Sequence, residues 1–166
     1  MAELQAASDE VAASYAGIEK EEQSIQAEID RMAKELAEQE AARQQQNNGG
    51  GTVQVSGGYT YPLPSGYRNV TSRFAMREHP VTGVYKQHTG VDVSAPRGTT
   101  IMAAKSGTVI IAGRSTAYGN YVVISHGDGT TSLYAHMSSR AASAGDVVSQ
   151  GDVIGYVGST GNSTGN

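Results

Sequence analysis

Apolar residues in the first third of the chain fall on a seven-residue beat. Leu4, Val11, Ile18, Ile25 and Met32 are spaced by seven, and Ser8, Tyr15, Glu22, Ile29 and Leu36 follow each of them by four. That is the d/a alternation of a heptad seam, carried through about five heptads. Residues 2–46 are rich in Ala, Glu, Gln and Lys, with one Gly and no Pro, so the whole stretch favours helix. The predicted helix is roughly 65 Å long. Ser8 and Glu22 are polar at seam positions and weaken the pairing there. Because the stripe is narrow, it predicts an α-helical coiled coil whose partner helix is a second copy or an upstream segment. The alternative is an isolated amphipathic helix packed along the rest of the protein.

The pattern then changes twice. "QQQNNGGGTVQVSGG" is polar and glycine-rich and reads as a linker, and "YPLPSGY" reads as an extended approach segment. From Val70 onward the apolar positions form short β-rich runs broken by Gly, as in "TTIMAAKSGTVIIAG", "YVVISHGDGTTSLYAH" and "DVVSQGDVIGYVG". "HGDGTTS" carries an Asp-Gly hairpin signal. The expected organisation is therefore a coiled-coil helix at 1–46, a Gly/Gln/Asn-rich linker and approach segment at 47–69, and a β-rich domain at 70–166.

Composition agrees with a chain of strands and turns in the second part. There are 21 Gly and nine Tyr but one Phe and no Trp. No cysteine is present, so any zinc must be held by nitrogen and oxygen. The net charge of −4 is uneven: residues 1–46 hold four Lys/Arg against eleven Asp/Glu, and residues 47–166 hold eight against five. The mildly basic second part suits an anionic polymer, though ordinary surface variation explains it as well. There is no basic cluster, which argues against nucleic acid. No apolar run reaches the length of a membrane span, and "MAELQAASDE" is no signal peptide.

The candidate chemistry centres on "YKQHTGVDVSAP". His88 and Asp92 are four apart in poor helix material, and in a straight strand they would lie roughly 13 Å apart. Gly90 between them allows a bend that brings them together. By spacing alone they are either a metal-binding pair or a surface pair. His136 ends the predicted strand "SLYAHMSS", where alternation puts it on one face with Tyr134; it is a candidate proton shuttle or simply a strand-end histidine. His79 precedes a proline in an extended or turn segment, and His126 reads as a hairpin residue. Lys105 in "IMAAKSGTV" suggests the modified lysine of a biotinyl or lipoyl carrier, but its context lacks the expected hairpin tip.

Taken together, "SRFAMREHPVTG", "HTGVDVSAPRGTTIMAAKSGTV", "YGNYVVISHGDGTTSLYAHMS" and "GDVVSQGDVIGYVGSTGNSTG" resemble the lysostaphin-type (LytM-like) zinc metallopeptidases in content, order and spacing. The similarity covers about residues 70–166, and a coiled coil and polar linker ahead of such a domain resemble the usual layout of bacterial cell-wall hydrolases. The resemblance implies an all-β catalytic domain with a central antiparallel sheet and a groove walled by loops. It implies cleavage of peptidoglycan peptides outside the cytoplasm, in the cell wall or periplasm. It implies Zn2+ held by His88 and Asp92, with His136 of Tyr-x-His assisting catalysis. Ala75 stands where the family usually has Gly.

The resemblance also implies a third zinc ligand from a His-x-His segment following "GSTGNSTGN". No His-x-His occurs in the 166 residues. The sequence is therefore expected to be a C-terminally incomplete fragment, a weak zinc binder and inactive alone. The alternative function is a non-catalytic coiled-coil regulator that activates cell-wall amidases. Retention of His88, Asp92 and His136 together favours the enzyme.

Overall fold

A computed structural model describes residues 2–46, 57–78 and 85–163. One helix, α1 (Ala2–Gln46), precedes eleven short strands: β1 (Val70–Ser72), β2 (Met76–Glu78), β3 (Tyr85–Gln87), β4 (Asp92–Val93), β5 (Thr100–Met102), β6 (Gly107–Ser115), β7 (Gly119–Ser125), β8 (Thr131–Met137), β9 (Ser139–Arg140), β10 (Val147–Val148) and β11 (Val153–Tyr156). The central sheet has the order β10-β6-β7-β8, a smaller sheet the order β5-β11-β9, and β1 with β4 and β2 with β3 form two-stranded ribbons. Every described pairing is antiparallel. Among the described residues the fold is thus a set of antiparallel β-sheets with one N-terminal helix.

The central sheet is covered on both faces. Val109, Val122 and Ile124 point into the main core with Ile101, Met137 and Ile154. Ile111, Tyr121 and Val123 point the other way and meet Ile25 and Ile29 of α1. Two-sided burial explains why "TVIIAG" and "YVVIS" read as unbroken apolar runs rather than as alternating strands.

Over its second half the helix takes the arrangement weighed as the alternative, packed along the rest of the protein. Ile25 and Ile29 are buried, and Met32 and Leu36 are packed beside them, against the sheet. A β-sheet face does for these seam residues what a second helix was expected to do. The sheet offers a row of β-branched and aromatic side chains, Ile111, Tyr121 and Val123, that the stripe covers. Val11, nearer the start of the seam, is exposed. The side chains of Leu4 and Ser8 lie outside the described residues, as does the linker over 47–56.

The approach segment is also part of the folded domain. Leu63 is buried in the main core. Thr60 N–H donates to Ala104 O, and Met102 N–H donates to Pro62 O. The two prolines keep this segment extended, and its carbonyls remain free to accept from the sheet.

The Asp-Gly hairpin joins β7 to β8 as expected. Asp128 Oδ1 accepts the Thr130 N–H across the turn. Lys105 is buried rather than held out at a tip, and pairs with Asp128 while lying over the Tyr59 ring. A carrier lysine has to be exposed, so the swinging-arm reading is set aside.

Candidate active site

His88 leaves β3 and Asp92 opens β4, and the chain bends between them at Gly90. The bend brings His88 Nε2 to 3.4 Å from Asp92 Oδ1. Two donors, each about 2.0–2.1 Å from a zinc ion at the tetrahedral angle, lie roughly 3.3–3.4 Å apart, so the observed spacing suits a shared metal.

The backbone of residues 72–75 sets the orientation of the His88 ring. His88 Nδ1 is 3.1 Å from Arg73 O and 3.3 Å from Ser72 Oγ. A carbonyl can only accept, so the proton sits on Nδ1 and the lone pair of Nε2 faces the carboxylate. With the ring neutral, two acceptors face each other at this distance, a donor set that suits a cation between them. Carbonyl support of the far ring nitrogen is also what a metal-binding histidine usually has. His88 N–H donates to Ala75 O, and Ser72 stands opposite Asp92 in the β1–β4 ladder. Ala75, the departure from the family's Gly, is not among the positive-φ residues, so a methyl group costs the backbone nothing there.

The imidazole of His88 is mostly buried while the Asp92 carboxylate is half-exposed, so the pair opens to solvent on one side. Among the described residues no group of three His, Cys, Asp or Glu side chains converges on one point. Among the described residues, then, His136 does not converge with the pair. His79 lies outside the described residues.

His136 is placed by a β-bulge that simple alternation does not foresee. Val122 stands opposite Tyr134, but Asn120 stands opposite Met137, with a register shift between. Tyr134 and Met137, three apart, both pack in the main core. Ala135 and His136 take up the extra residue, and His136 adopts φ 57°, the one non-glycine positive φ described. Bulges re-aim side chains in this way, and a left-handed non-glycine residue persists only where its surroundings hold it. Tyr134 and His136 consequently serve different networks. Tyr134 Oη bonds to Ala104 N–H and Ser132.

The surroundings that hold His136 were not singled out in the sequence. Its N–H donates to Tyr118 O, and its Nδ1 lies 2.8 Å from Thr160 O. Since Thr160 O accepts, Nε2 carries the free lone pair, as in His88. Thr160 is fixed in turn: its hydroxyl donates to Met137 O and accepts the Asn120 N–H. The close approach of this loop to β7 depends on glycine. A Cβ on Gly119 would lie 2.3 Å from the Thr160 backbone, and one on Gly161 would lie 2.2 Å from Gly119 N. The signal in the sequence was the glycine spacing of "VGSTGNSTG", which reads as a loop but does not reveal what the loop supports.

The family profile described as Peptidase family M23 matches residues 86–166. The chain is 42% identical over 113 residues to the DD-carboxypeptidase/endopeptidase Mpg of Neisseria meningitidis, covering 68% of this chain and 26% of that protein. It resembles a zinc-containing peptidase from Vibrio cholerae with a TM-score of 0.60 and 36% identity, over 63% of this chain and 33% of the other. It resembles a mutant of the catalytic domain of the prophage-encoded M23 protein EnpA from Enterococcus faecalis with a TM-score of 0.56 and 38% identity, over 66% of this chain and 82% of that domain. The chain spans about a quarter of the length of the first curated relatives it matches.

Proposed function

From the premise that this chain belongs to peptidase family M23, we propose that the protein carrying it is a zinc metalloendopeptidase that hydrolyses peptide bonds of bacterial peptidoglycan. The observation that carries the reading is the 3.4 Å approach of His88 Nε2 to Asp92 Oδ1, with Nδ1 turned to a backbone carbonyl. A regulator that had lost its metal site would have no need to keep this arrangement.

His88 and Asp92 are the residues that would hold zinc. When bound, zinc supplies a polarised scissile carbonyl and a water acidified to near neutrality. His136 moves a proton at Nε2. Its Nδ1–H bond to Thr160 O fixes the tautomer, so Nε2 accepts a proton from the attacking water and returns it to the leaving amine. The protonated ring also donates to the oxyanion at the same nitrogen.

Peptidoglycan peptides are the proposed substrate, and an extracytoplasmic location, in the cell wall or periplasm, follows from that substrate. Similarity to a relative named as a DD-carboxypeptidase/endopeptidase supports a bond between D-residues as the target. Among the described residues no helix is long and apolar enough to cross a membrane.

The test is clearing of purified sacculi by the natural protein. A zinc chelator is expected to stop it, and added zinc to restore it. Clearing that continues with all metal removed would refute the proposal.

A further inference from the structure

We propose that Glu21 of α1 is a positioning residue for His136, acting through the turn between β6 and β7. Its meaning for catalysis rests on the peptidase reading above; its geometry does not.

The carboxylate of Glu21 forks over the turn. Oε1 accepts the Thr116 N–H at 3.1 Å and Oε2 accepts the Ala117 N–H at 2.9 Å. The turn lies beyond the end of the ladder, so these amides lack a strand partner, and an ionised acceptor holds them more firmly than a neutral one. The helix is anchored for this task, because Ile25, one turn further along, is buried against the sheet.

The carbonyls of the same turn face the candidate active site. Tyr118 O accepts the His136 N–H at 2.8 Å. Thr116 O and Ala117 O accept the Asn162 N–H at 2.9 and 3.2 Å. Asn162 lies two residues after Thr160, whose carbonyl accepts from the His136 ring. The helix thus holds the turn by its N–H groups. The turn holds His136 by two routes, one to its backbone and one to the loop that fixes its imidazole. Glu21 also borders a cleft with Gly161 and Asn162, which places the helix, the turn and the loop at one junction.

This arrangement gives the helix a role that packing alone does not require. Ile25 and Ile29, with Met32 and Leu36 beside them, bury the apolar face of α1 on the sheet, and none of these contacts needs a carboxylate at the half-buried position 21. A carboxylate bridging two consecutive amides of a turn instead fixes the conformation of that turn. His136, in a left-handed conformation, depends on such external support.

The experiment compares the 166-residue chain with its Glu21→Ala and Glu21→Gln variants by amide hydrogen exchange and by long-range proton–nitrogen spectra of the histidine rings. Glu21→Ala is expected to speed exchange at Thr116, Ala117, Asn162 and His136 by about tenfold or more, and to end the single Nδ1–H tautomer of His136. Exchange at Val122 and Ile124 should not change. Glu21→Gln, which keeps one acceptor oxygen, should fall between. In the natural protein, kcat should drop with KM and zinc content unchanged. Freed amides at Thr116 and Ala117 with an unaltered His136 would overturn the proposal. So would equal loosening of Val122 and Ile124, which would mark Glu21 as a general structural contact. If the spectra change as expected but the wild-type natural protein cleaves no peptidoglycan, the positioning role stands and the peptidase reading fails.

Discussion

Nε2 of His88 and Oδ1 of Asp92 stand 3.4 Å apart across the bend at Gly90, with His88 Nδ1 held by Arg73 O. His136 is held separately, by Thr160 O and Tyr118 O. These are two kinds of support, and they predict two kinds of defect. In the natural protein, His88→Ala and Asp92→Ala should each remove zinc and activity together. His136→Ala should retain zinc and lower turnover by about 10²–10⁴-fold. Metal analysis beside a cleavage assay separates the outcomes. A His136→Ala protein that loses its zinc as completely as His88→Ala would make His136 a ligand.

The helix was legible in the sequence and its partner was not. The seven-residue beat and the helix-forming composition set the length of α1, but a beat gives only the width of an apolar stripe. Sheet faces and helices both cover narrow stripes. The strands of the central sheet were likewise readable as short apolar runs, whereas their two-sided burial depends on α1 returning over Ile111 and Val123.

Packing of α1 on the sheet has a direct consequence for stability. Ile29 is 2% exposed and Val11 is 46% exposed. Ile29→Ala should cost about 2–5 kcal/mol, and Val11→Ala less than about 0.5 kcal/mol. Urea unfolding of the two variants checks this. Equal, small effects would mean that α1 does not dock as described.

The site was legible in part. His88, Asp92 and His136 stand out because imidazole and carboxylate carry chemistry by residue type. The groups that orient them are backbone carbonyls of Arg73, Tyr118 and Thr160, and a carbonyl has no residue signature. The bulge at His136 was hidden for a related reason: an inserted residue in a strand shows only when the partner strand is known.

Gly119 offers a test of the Thr160 support. It has φ +61° and would drive a Cβ into the Thr160 backbone, whereas Gly129 has φ +81° and open space around it. Gly129→Ala should cost about 1–2 kcal/mol for the left-handed backbone alone. Gly119→Ala should cost more, and should also shift the His136 ring resonances. Thermal unfolding and histidine spectra of the pair check both points. Equal costs and an undisturbed His136 would show that the contact with Thr160 gives way freely.

His126 predicts a pH dependence of stability. It is buried, with Nδ1 2.9 Å from Ser106 O and Nε2 2.9 Å from Ser132 Oγ. Burial lowers its pKa, with Lys105 adding to the effect and the Ser106 carbonyl and Asp128 opposing it. The fold therefore favours the neutral ring. Its contribution is fully present above the unfolded value of about 6.5 and is lost as pH falls below that, through the depressed folded value. Asp128, whose carboxyl is held low first by its hydrogen bond to Lys105, loses its contribution only below about pH 4. Urea midpoints should fall between pH 7.5 and 5.5 in the wild type and fall less in His126→Gln. Identical slopes would contradict the assignment.

The most direct test of the peptidase account is mass spectrometry of muropeptides after digestion of sacculi by the zinc-loaded natural protein. Cross-linked dimers are expected to disappear and monomers to accumulate, each event leaving one new carboxyl and one new amino terminus at a peptide bond. The same digest with Asp92→Ala should leave the dimers intact. Intact dimers with the wild-type protein, or equal cleavage by Asp92→Ala, would contradict it.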